Sequence, residues 1–126
     1  VIDRAKIVRL VTTQFIASND FTLLHGVTGL QALLSLEPFI DDIDKALGYF
    51  WQAYVAAVCT STYRHAFVPL ATTSDNQKEW NSWFTKALAS KNDHTIKLVY
   101  SCAWLYQSIA LPELLMAIQA VLGEQS

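Results

Sequence analysis

From residue 2 to residue 122 the apolar residues recur at intervals of three and four, and no run alternates at period two for long enough to make a strand. Apolar stripes at that interval form one face of an α-helix, so the pattern predicts an all-α chain. The breaks between stripes fall where helices end. Asn19-Asp20, Glu37-Pro38, the stretch 66–77, Asn92-Asp93 and Pro112 divide the chain into about six helices. Asn and Asp side chains cap the orphan amides of a first turn, and the residue before a proline is pushed out of the α region. The expectation is a helical bundle of about six helices, part of a larger all-helical domain.

Taken in order, Ile2 to Ala17 reads as a helix with Arg4, Lys6 and Arg9 outward and Ile7, Leu10, Val11 and Phe15 inward. Asn19 to Leu36 follows, capped by Asn19 or Asp20, with Leu23, Leu24, Val27, Leu30 and Leu34 as its stripe. His25, Thr28, Gly29 and Ala32 lie on an adjoining face of small and polar groups. Gly26 and Gly29 each weaken a helix interior by about 1 kcal/mol relative to alanine, which points to a packing or access reason for both. The next helix starts at the acidic group Asp41, Asp42 and Asp44, which complements the helix dipole, and runs to about Cys59 or Tyr63. It is apolar nearly all round, as a helix at the centre of a bundle or under a partner must be. Ser74 or Asp75 is a cap for a helix bearing Trp80 and Trp83, which make one aromatic ridge. Asn92 or Asp93 starts a helix that places His94 and Lys97 together on its polar strip. Leu114, Leu115, Ile118, Val121 and Leu122 form a last helix closed by Gly123.

Composition narrows the function. The net charge of −2 and absence of any basic run argue against nucleic acid, whose phosphates require clustered Lys and Arg. A hydrophobic fraction of 52% with 16% charged residues is high for a free-standing domain of 126 residues. Residues 1–126 therefore read as one helical segment that buries surface against the remainder of a longer chain or a second helical chain. The start at Val1, already inside a helical pattern, favours a truncated or cleaved product. Leu98 to Leu122 is long enough to span a bilayer but is interrupted by polar residues and Pro112, so no membrane partner is expected. Cys59 and Cys102 lie in apolar helical runs without CxxC spacing and read as reduced core thiols of a cytoplasmic protein.

His25 and His94 carry the chemistry that remains. The chain has no glycine-rich phosphate loop, no GxGxxG, GxSxG, HExxH or CxxC. Each histidine also has a plain reading, as a core imidazole satisfied by a neighbouring group or as a solvated first-turn residue. Arg64 and His65, at the entrance of the 66–77 loop, could hold a phosphate or carboxylate, or simply face solvent at a helix end.

FTLLHGVTGLQALL and NDHTIKLVYSC resemble the C-terminal part of the questin oxidase-like family, helical oxidoreductases of polyketide pathways, over about Asn19 to Ser108. The resemblance implies a C-terminal portion of a longer protein whose N-terminal half carries further histidines. It implies Baeyer–Villiger-type monooxygenation of an aromatic or polyketide-like ketone with NADPH as the reduced nicotinamide cofactor. On that reading His25 and His94 face a shared pocket as acid/base groups, and Lys97 stabilises a developing oxyanion. Thr28, Trp51, Tyr54 and Trp104 contact a small aromatic substrate. A metal or haem held by the two histidines is the lesser expectation, because no carboxylate ligand stands nearby. The alternative function is a non-enzymatic module for helical association or small-molecule binding.

Overall fold

A computed structural model describes residues 2–60 and 79–123. Within them the chain forms six α-helices and no strand: α1 (Arg4–Ser18), α2 (Phe21–Ser35), α3 (Ile43–Thr60), α4 (Trp80–Ser90), α5 (Asp93–Ser108) and α6 (Pro112–Val121). A 3₁₀ turn, Glu37–Phe39, links α2 to α3. The all-α bundle is as the periodicity requires. Cap chemistry sets the boundaries. Asp3 accepts from the Lys6 amide, Asp20 from Thr22 and Leu23, and Asn92 from His94 and Thr95. Asn19, at φ 51°, closes α1 in the left-handed region and turns the chain directly into α2. Truncation of the α2 cap by Asp20→Ala is expected to destabilise the protein by about 1 kcal/mol in chemical denaturation.

Helices α1, α2, α5 and α6 close into a four-membered core, each packed on the next around the ring, while α3 lies outside α2 and α4 outside α5. Val8, Val11 and Phe15 of α1, Leu23, Val27 and Leu30 of α2, Leu98, Cys102 and Leu105 of α5, and Leu114 and Ile118 of α6 fill the centre. Helices α2 and α5 run parallel. His25 meets His94 near their starts, and about two turns on the buried Ser101 hydroxyl donates to Gln31 Oε1 at 3.3 Å. Helix α1 is antiparallel to α2, since Arg4 at its start forms a two-point ion pair with Glu37 just beyond the end of α2, at 2.6 and 2.5 Å. The carboxylate keeps the Arg4 guanidinium protonated above its ordinary value, and the same bonds hold Glu37 below the ordinary carboxylate value. Arg9 pairs with the buried Glu113 in the first turn of α6, at 2.9 Å.

Three expectations change. Helix α3 is not central: among the described residues it packs mainly on α2 through its buried Leu47 and Tyr54, with Ile43, Phe50, Trp51 and Val58 partly buried against the core and Tyr49 and Val55 exposed. Cys59 is exposed on that surface; only Cys102 is a core thiol, its ionisation pushed up by burial. The α4 cap is Glu79, without a side-chain bond, in place of Ser74 or Asp75, which lie outside the described residues. So do Arg64, His65 and the 66–77 loop. The tryptophan ridge is core packing: Trp83 is buried and meets Trp80 edge-on at 5.2 Å, and Trp80 leans on Tyr106 of α5. No helix of the described residues is long and apolar enough to cross a membrane.

Candidate functional site

The parallel arrangement of α2 and α5 brings the first turns of both helices to the same end of the core, and with them Phe21, His25 and His94. The imidazole centroids are 5.3 Å apart with planes at 82°, an edge-to-face pair. Phe21 closes the triangle, 4.9 Å from the His25 ring and 4.2 Å from the His94 ring. Each member is positioned by its helix. Phe21 begins α2 directly after the Asp20 cap, His25 lies one turn further, and the His94 amide is itself held by Asn92 Oδ1 at 2.9 Å.

One hydrogen bond fixes a proton on His25. His25 Nδ1 lies 2.8 Å from the Phe21 carbonyl oxygen. A carbonyl can only accept, so Nδ1 carries a proton and Nε2 is the nitrogen left to accept a proton or bind a ligand. The satisfied-imidazole reading thus holds for one nitrogen of His25 and leaves the other unengaged by that bond. The pair sits at the surface rather than on a buried wall. His25 is exposed, His94 half-buried, and the Phe21 ring that covers them is 60% exposed. Lys97, one turn beyond His94, is exposed on the same helix. The Thr28 hydroxyl turns back to the His25 carbonyl at 3.5 Å.

The aromatic residues assigned to a substrate wall fall in two places, Trp51 and Tyr54 stacked on each other and Trp104 in a separate pocket. Trp51 lines a groove between α1 and α3. Trp104 lines a second pocket of about 470 Å³ with Leu34, Ser108 and the Arg4–Glu37 pair. Tyr54 is buried between Trp51 and Phe50, at ring distances of 5.6 and 6.1 Å. Its ring occupies the place a side chain at residue 26 would need: a Cβ on Gly26 would stand 2.6 Å from Tyr54 Cε1. Gly26 therefore has the close-approach role its position in a helix demanded. Gly29, whose Cβ would meet Phe50 at an ordinary 3.8 Å, does not.

The Tyr54 hydroxyl is buried without a hydrogen-bond partner among the described residues, and burial pushes its ionisation up to about 12. The fold thus favours the neutral phenol. That contribution is complete below the ordinary tyrosine value of about 10 and is lost as pH rises through about 12. Denaturation midpoints are expected to fall between about pH 10 and pH 12, and Tyr54→Phe to remove that part of the fall while leaving neutral-pH stability equal or higher.

Residues that sequence reading did not select include Gln31, Ser101 and Glu113. Gln31 was visible as a polar group inside an apolar stripe, and it bonds Ser101 across the α2–α5 interface. Glu113 was visible as the acidic residue after Pro112. Among the described residues no group of three or more His, Cys, Asp or Glu side chains is gathered as if to hold a metal ion. No protein-family model, curated protein or solved structure matches the chain.

Proposed function

We propose that His25 and His94 are this chain's share of an oxidoreductase centre resembling that of questin oxidase-like enzymes. The single observation behind the proposal is the contact of two imidazoles from separate helices, with the proton of one fixed at Nδ1. The reaction is a Baeyer–Villiger-type oxygenation, in which an aromatic ketone, molecular oxygen, NADPH and a proton give an ester, NADP⁺ and water. His25 Nε2 takes or returns the proton of a phenol or hydroperoxide, His94 acts beside it, and Lys97 stabilises the oxyanion. The remainder of a longer chain, or a second helical chain, covers the exposed Phe21 side of the pair. The setting is the cytoplasm, where Cys59 and Cys102 stay reduced.

A metal-holding role is the second reading of the same pair. Metal–nitrogen bonds of about 2.0 Å to one tetrahedral divalent ion would set two imidazole centroids about 5 Å apart, and a histidine ligand commonly donates its other N–H to a backbone carbonyl. The test of the proposal is NADPH-dependent oxygen uptake with an aromatic ketone, with elemental analysis of the same sample. Uptake that needs both histidines and no metal supports acid/base work; uptake lost to a chelator and restored by one metal moves the histidines to the ligand role. Absence of uptake, with the chain associating through the outer face of α3, favours the non-enzymatic module.

A further inference from the structure

The groove between α1 and α3 is walled by Ile2, Ile7 and Leu10 on one side and by Gly48 and Trp51 on the other. It encloses about 300 Å³. That is the size of a small-molecule site, and a helix with a diameter of about 10 Å would not enter it. None of its residues belongs to the Phe21–His25–His94 cluster, so it stands apart from the function proposed above.

Gly48 supplies a second, independent observation. Glycine weakens a helix interior relative to alanine, and inside this chain Gly26 answers that with the Tyr54 ring. A Cβ on Gly48 would meet nothing within 4 Å. No packing in the described residues calls for a glycine there, and its effect is to hold the groove open. Trp51, fixed by stacking on Tyr54 at 5.6 Å, gives the groove a flat aromatic wall. Its polar edge carries Asp3, whose carboxylate oxygen accepts from the Lys6 amide, and the exposed Lys6 ammonium, which forms no ion pair among the described residues. We propose that this groove binds a small, flat apolar molecule bearing an acidic group, with the ring body against Trp51 over Gly48 and the anion at Lys6.

The test is calorimetric titration of the full chain with 2-naphthoate and, separately, with neutral 2-naphthol. One saturable site is expected. Gly48→Leu, at a position where an added Cβ meets nothing within 4 Å, is expected to weaken 2-naphthoate at least about tenfold while circular dichroism and the melting midpoint stay equal or rise. Lys6→Gln is expected to weaken 2-naphthoate about threefold and leave 2-naphthol unchanged, the size of a solvent-exposed charge contact. Trp51→Leu reads the same wall if Gly48→Leu does not fold. No saturable binding to the unmodified chain, or affinity undiminished in both Gly48→Leu and Trp51→Leu, overturns the proposal. So does a dimer in sedimentation that Gly48→Leu abolishes, which would assign the groove to a second copy.

Discussion

His25→Ala is expected to lower NADPH-dependent oxygen uptake by about 10²- to 10⁴-fold, the range associated with loss of a positioned acid/base group. The expectation rests on the protonation state of the ring. With Nδ1–H committed to the Phe21 carbonyl, Nε2 is the nitrogen left to serve as base in the proposed reaction. His25→Gln tests that argument more finely, because it retains polarity but not proton transfer, and activity near that of the unmodified chain would remove the histidine from the chemistry. The fold should not respond. His25 is exposed, and surface substitutions away from caps and cores usually change stability by no more than about 0.5 kcal/mol. A large loss of stability in His25→Ala would instead identify the ring as structural.

The largest effect on stability is expected at Trp83. It is the bulkiest of the fully buried side chains, at 1% exposure, and is the main anchor of α4, whose packing is on α5. Trp83→Ala removes an indole that the surrounding helices can only partly replace, at a cost of about 3–5 kcal/mol. Against the roughly 5–15 kcal/mol by which domains are usually stable, such a loss approaches unfolding. Urea denaturation monitored by circular dichroism gives the value. A cost under about 1 kcal/mol would mean that α4 contributes little to the folded core.

Most of the helical architecture was legible because most of the helices, α4 excepted, carry their own boundary chemistry. Asp20, Asn92 and Pro112 mark starts through local bonds or a missing amide, and these need no knowledge of the rest of the chain. The position of α3 was not legible. An all-round apolar helix looks the same in sequence whether it is central or peripheral, and only its packing, mainly on α2 among the described residues, decides. Cys59 was misplaced for the same reason. The glycines illustrate the limit within one helix: Gly26 and Gly29 are alike in sequence, yet only Gly26 lies under the Tyr54 ring.

The site was legible in part. His25 and His94 were selected by residue type and by the resemblance of their two motifs, whereas their contact depends on α2 and α5 lying parallel, which no local pattern encodes. Residue type alone suggests one aromatic wall, whereas the fold stacks Trp51 on Tyr54 and sets Trp104 in the pocket beside Arg4 and Glu37. The buried Gln31–Ser101 bond and the pairing of exposed Arg9 with buried Glu113 join residues far apart in sequence, so the partners were not visible in it.

A double-mutant cycle on NADPH-dependent oxygen uptake tests most directly whether the two imidazoles form one centre. If they act together, His25→Ala and His94→Ala each lower kcat/KM by about 10²-fold or more, and the double variant falls little further, because groups that act as a unit are strongly non-additive. Losses that simply multiply in the double variant, or full activity in either single variant, would contradict a shared centre.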